Sequence, residues 1–198
     1  MTGIILAGGR NTRIGTNKAL LKVDGGTIIE NTAAVLSPLF ESLIVVTNSP
    51  DSYEFLGLNT VPDLEPGKGP LVGIYSGLLA SSDKWNFVVG CDMPFLSPEL
   101  IAFMSKFCDA SDVVVPRLDS YYESLHAFYN KSCLDSMKEQ IESGNLKINS
   151  LFATLRLHEV TREEIERFGD THTLFFNVNT LSDLEFARSM KAPKDSPQ

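Results

Sequence analysis

The chain has 198 residues, 43% of them hydrophobic and 21% charged, and a formal charge of −8. That length suits one domain, and the near-average composition excludes wholesale disorder and fibrous architectures. So acidic a chain is poorly suited to wrapping nucleic acid through its phosphates, and no apolar run approaches the ~20 residues of a membrane span.

The first run, Gly3 to Ala7, is short, apolar and preceded by no basic leader, so it reads as a strand rather than a secretory signal. Gly8-Gly9 ends it. Residues 1–23 then hold Arg10, Arg13, Lys18 and Lys22 and no acid, a local charge of +4 in a chain whose remainder carries −12. A concentrated positive segment of this kind points to a small anionic ligand. Gly8 and Gly9 permit close backbone approach, so amide N–H groups can face phosphate oxygens. Arg13 can bridge two such oxygens, and Lys18 can place a point charge among them. Neither G-x-G-x-x-G nor the P-loop pattern is present, and a glycine turn with solvated basic residues is the plain alternative.

A helix is predicted from Thr27 to about Leu39, followed by a strand at Leu43 to Val46 that Thr47-Asn48-Ser49-Pro50 stops. Asp63 follows another short extended run, in a loop loosened by Gly67 and Gly69. A second helix spans Leu71 to Ser81. The strand Trp85 to Val89 ends at Gly90-Cys91-Asp92, which places a lone carboxylate where it can hold magnesium against phosphate oxygens. Capping of the next turn is the competing reading for Asp92, and a turn Asp for Asp63. Cys91 is a poor nucleophile, because the neighbouring carboxylate raises a thiol's pKa. Ser97-Pro98 starts a helix with Ser as N-cap.

Val113 to Val115 is the next strand, ended by Pro116. Leu118 to Tyr129 is aromatic-rich and extended, an added antiparallel strand or hairpin in which His126 reads as a core or edge histidine. Ser132 to Glu142 is an amphipathic helix. Asn177 and Asn179 close the Leu174-Phe175-Phe176 run; an amide oxygen there is a turn feature or a second oxygen ligand. Thr180-Leu181-Ser182-Asp183 resembles a capping box before the last helix. Strands alternating with helices predict an α/β fold with a mostly parallel sheet. Three cysteines without C-x-x-C predict buried reduced thiols in a cytoplasmic protein.

Four stretches carry a resemblance: Leu6 to Lys18, Pro66 to Gly73, Gly90 to Leu96, and Phe176 to Thr180. In order and spacing they resemble the molybdenum cofactor guanylyltransferase family of Rossmann-like nucleotidyltransferases. The resemblance implies a three-layer Rossmann-like fold, a mostly parallel central sheet with an added antiparallel strand or hairpin. Residues 1–190 would form a single domain, its N-terminal half binding nucleotide and its C-terminal half serving the acceptor, with 191–198 a frayed tail. The implied reaction transfers GMP from GTP to molybdopterin and releases pyrophosphate, with Mg2+ as cofactor. By position, Leu6, Ala7, Gly8 and Gly9 would contact the nucleotide, and Lys18 and Arg13 the phosphates. Asn48 and Asp63 would lie on the base and ribose side. Asp92 would hold magnesium, with Asn179 as second ligand. Implied partners are the two small-molecule substrates, molybdoenzyme apoproteins and cofactor-maturation proteins, with neither nucleic acid nor membrane. The chain departs from the family in three places: Asn17 replaces the usual acidic residue, Ile14 a Met, and the pair Asn11-Thr12 a small Ser. A cytidylyltransferase, a sugar- or polyol-phosphate nucleotidyltransferase and a silent nucleotide-binding maturation factor remain alternatives.

Overall fold

The computed structural model describes residues 1–8 and 17–190. Among the described residues ten strands run in chain order: β1 Thr2–Leu6, β2 Lys22–Val23, β3 Gly26–Thr27, β4 Ser42–Val46, β5 Asn59–Val61, β6 Trp85–Gly90, β7 Val113–Leu118, β8 Tyr121–Tyr122, β9 His126–Asn130 and β10 Leu157–Val160. The α-helices are α1 Ile28–Leu36, α2 Pro70–Ala80, α3 Pro98–Ser105, α4 Leu134–Glu142, α5 Ile148–Phe152, α6 Arg162–Ile165, α7 Thr171–Leu174 and α8 Leu181–Ser189. The main sheet has the order β10-β7-β9-β6-β1-β4-β5, with β8 paired to β7 and β2-β3 forming a separate hairpin.

β1 lies between β4 and β6, parallel to both, and all five of its residues are buried. A strand covered on both faces has no reason to alternate polar and apolar residues, which is why it reads as one apolar run. Ile5, Val45, Val89 and Phe87 face α1 and α3; Ile4, Leu6, Ile44 and Val88 face α2 and α4. α2 can lie close to the sheet because Gly77 has no Cβ: one placed there would sit 2.6 Å from Cγ2 of Ile4. That proximity brings the amino end of α2 to the carboxyl ends of β1 and β4.

The expected elements appear with small boundary shifts, except that Pro116 does not end its strand: β7 carries on to Leu118, with Pro116 opposite Val160 and Arg117 and Leu118 paired to β8. Thr27 caps α1 in a full capping box with Glu30, Ser97 caps α3, and Thr180 with Asp183 caps α8. The aromatic stretch supplies β8 and β9, and β9 is the antiparallel strand between β6 and β7. The Leu174–Phe176 run is not extended; Thr171–Leu174 form a helical turn capped by Asp170. Among the described residues no helix is long and apolar enough to cross a membrane.

His126 is the core histidine of the sequence reading. It is 0% exposed, wedged edge-on between Phe87 and Phe175 at 5.1 Å, and neither ring nitrogen has a hydrogen-bond partner among the described residues. Burial pushes its pKa down to about 3. The unfolded chain therefore binds a proton that the folded chain refuses between roughly pH 6.5 and 3. Stability conferred by the neutral ring is intact above that window and falls with pH inside it, by up to ~1.4 kcal/mol per pH unit. In urea titrations from pH 7 to 4, His126→Leu should lose stability less steeply than the parent; parallel curves would contradict this.

Candidate active site

The carboxyl ends of β1, β4 and β6 open onto a cleft of about 430 Å3, lined by Leu6, Gly8, Val46 and Gly90 from the strand ends. Lys18, Asp63, Asp92 and, around the start of α2, Gly67, Gly69, Pro70 and Gly73 add to its wall. This is the edge at which open α/β sheets bind ligands. Gly67 and Gly69 have φ of +86° and +94°, and Gly69 is the N-cap of α2. These two turns set the amino end of α2 in the cleft wall, where the positive end of a helix dipole suits phosphate.

Lys18 opens a single 3-10 turn, Lys18–Leu20, that Asn17 caps. Its ammonium donates to Oδ1 of Asn179, at 2.7 Å. Asn179 is itself held in place: its N–H and that of Thr180 both donate to the Asp183 carboxylate, at 2.9 and 2.7 Å. One residue earlier, the Val178 N–H donates to the Asp92 carbonyl at 2.9 Å. The end of β6, the start of α8 and the lysine turn therefore form one connected unit.

Asp92 is half-buried above Gly90, where a Cβ would meet its Oδ1 at 2.8 Å. Burial raises its pKa, and the Lys18 charge acts in the opposite direction. Burial, and then the Asp92 charge, push the Cys91 thiol up to about 12. It stays protonated at neutral pH, in keeping with its weakness as a nucleophile. Among the described residues no three His, Cys, Asp or Glu side chains gather as a metal site. One carboxylate at the mouth of a cleft that also holds a lysine nevertheless suits magnesium, which takes one or two carboxylates and fills its shell with phosphate oxygens and water. The Asn179 amide oxygen is engaged by Lys18, so as a cation ligand it would have to exchange that partner.

The other sequence candidates are placed less uniformly. Asp63 lines the cleft, and its Oδ1 accepts from the Glu65 N–H at 3.2 Å. Asn48 is exposed and is not among the residues lining the cleft. Ala7 is buried, with its N–H donating to the Val46 carbonyl. Gly9 and Arg13, with the rest of residues 9–16, lie outside the described residues.

Tyr53 was not legible as a site residue. It is 1% exposed, accepts from the Asn17 side-chain amide at 2.8 Å and donates to the Ala7 carbonyl at 3.3 Å. The phenol thus links the residue before the loop to the residue after it. Asn17 serves this link because its amide donates to Tyr53 while its oxygen accepts from the Ala19 N–H at 3.2 Å. A carboxylate at 17 would have no proton to donate and would compete with Ala7 for the phenol's own.

A second cleft, about 470 Å3, has Asn179 in its wall, together with Tyr121, Glu123, Arg162, His172, Phe175 and Phe176. Because Lys18 in the first cleft bonds Asn179 in the second, the two meet at that pair. The aromatic stretch in the sequence marked this region, but nothing in its periodicity marks Glu123 as half-buried.

Residues 3–160 match the family model described as a MobA-like NTP transferase domain. A protein of Pelotomaculum thermopropionicum named probable molybdenum cofactor guanylyltransferase is 39% identical over 189 residues, covering 96% of this chain and 92% of that one. The molybdenum cofactor guanylyltransferase of Desulfosudis oleivorans is 33% identical, covering 96% and 95%. Among solved structures, molybdopterin-guanine dinucleotide biosynthesis protein A from Archaeoglobus fulgidus superposes with a TM-score of 0.83 at 29% identity, covering 96% of this chain and 98% of that one.

Proposed function

This chain belongs to the MobA-like NTP transferase family, and from that premise we propose that it transfers GMP from GTP to molybdopterin. The products are the guanine dinucleotide form of the cofactor and pyrophosphate. The observation that carries the reading is a cleft in which a lysine, a carboxylate and a helix amino end converge at the strand ends. Relatives of this length and identity named molybdenum cofactor guanylyltransferase supply the substrates.

A terminal phosphate oxygen of the acceptor attacks the α-phosphorus of GTP, and the bond from that phosphorus to the bridging oxygen of pyrophosphate breaks. The protein forms no covalent bond; it holds nucleophile and leaving group in line and balances the charge that builds on the oxygens. Lys18 faces the β- and γ-phosphates, assisted by the α2 amides and by Arg13. Leu6, Ala7, Gly8 and Gly9 pass along the nucleotide, and Asp63, rather than the outlying Asn48, serves the base and ribose side. Asp92, with Asn179 as the candidate second ligand, holds Mg2+, which when bound neutralises phosphate charge. The N-terminal half carries nucleotide and the C-terminal half, through the second cleft, carries acceptor.

Incubation with GTP, magnesium and molybdopterin should yield the dinucleotide and stoichiometric pyrophosphate, and CTP or UTP should substitute poorly. Preferential use of CTP would reassign the base, and absence of pyrophosphate release would leave only nucleotide binding.

The Tyr53 link should matter to turnover as well as to folding. Tyr53→Phe retains the ring and removes both bonds, at ~0.5–1.5 kcal/mol each. The expected result is a drop of about tenfold in kcat/KM for GTP, beyond what the modest fall in Tm explains at an assay temperature well below it. Unchanged kinetics with a lowered Tm would reduce Tyr53 to a packing residue.

A further inference from the structure

Glu123 is a half-buried carboxyl that the reaction as described does not use. Its backbone is fixed, the N–H donating to the Pro116 carbonyl and its own carbonyl accepting from the His126 N–H, both at 3.0 Å. The side chain has no hydrogen-bond or ion-pair partner among the described residues, and burial pushes it up to about 7. Arg162 lines the same cleft but is committed to Asp119 and Thr171. A carboxylate partly withdrawn from water with nothing to accept from is costly unless a ligand completes it.

The surroundings define that ligand. Tyr121, His172, Phe175 and Phe176 supply aromatic surface in the same cleft, suited to a flat ring. Asn179 brings Lys18 to its border, which suits a phosphate at the ring's far end. A flat ring that offers two parallel N–H donors to a carboxylate has an amino-lactam edge, an amide N–H beside an exocyclic amine. Pterins and guanine both carry that edge.

We propose that Glu123 is the specificity residue of the acceptor subsite, accepting both N–H donors of the pterin's amino-lactam edge while the acceptor phosphate points past the Lys18–Asn179 pair toward the first cleft. This rests on the guanylyltransferase reading. Pterin is favoured over guanine because Glu123 lies in the second cleft and not among the residues lining the first.

Glu123→Gln replaces one acceptor oxygen with a donor that opposes the ring's amine. It replaces a half-buried, partnerless carboxyl with an amide of the same shape, so the fold should be retained, and Tm reports that directly. Molybdopterin KM should rise by roughly ten- to a hundredfold, the loss of a charge-assisted pair, while KM for GTP moves less than about twofold. Glu123→Asp should recover part of the loss. A rise in GTP KM instead would assign the edge to guanine, and no change in either would remove Glu123 from recognition; both overturn the proposal. A second arm titrates 6-hydroxymethylpterin by fluorescence against the parent and Glu123→Gln proteins. Pterin binding lost in the variant supports the subsite even if no guanylyl group is transferred, a result that would sink the function alone. Equal binding by both proteins overturns the subsite.

Discussion

Lys18→Ala is expected to lower turnover by a hundredfold or more, the scale for removing one preorganised charge from a transition state that gathers negative charge. The variant loses more than a phosphate contact. The Lys18 ammonium bonds Asn179 and also offsets the burial that raises the Asp92 pKa. Without it Asp92 ionises less readily, so the variant should need more magnesium or a higher pH to reach its residual rate. Stability should change little, because Lys18 sits at the rim of a cleft rather than in the core. Single-turnover rates across a magnesium series, at two pH values, would test both parts. Near-parental turnover would end the phosphate role of this lysine.

Asp92→Asn should cost a similar factor in turnover but differ in its thermodynamics. A carboxyl whose folded pKa is raised above its unfolded value binds its proton more tightly when folded. It favours folding below the unfolded pKa, and that contribution is lost as pH rises through the folded pKa, leaving an ionisation cost at neutral pH. The amide carries no such cost. Tm at pH 7 should therefore stay level or rise while activity falls and its magnesium dependence flattens. A fall in Tm parallel to the loss of activity would mean that Asp92 supports the loop and not a cation.

The local grammar of the chain was readable from the residues. Ser97 and Thr180 announce α3 and α8 because a cap is a bond between neighbours three residues apart. β1, β4, β6 and β7 were visible because a strand buried on both faces must be apolar throughout. The short strands β2, β3 and β10 gave no such signal; three or fewer core-facing residues impose too little pattern.

The sequence alone determined that a glycine-flanked basic loop follows the first strand and that Asp92 terminates a later one, and it placed both at the carboxyl edge of an α/β sheet. It also carried the four motifs by which the family is recognised. Only the tertiary structure decided that Lys18 meets Asn179 across 161 positions, that Tyr53 bridges Ala7 and Asn17, and that Glu123 stands in a second cleft with no side-chain partner among the described residues. Periodicity records the face a residue turns toward its own element's neighbours. A hydrogen bond between distant segments depends on how strands are ordered in the sheet, and strand order leaves no mark on the spacing of residues along any one strand.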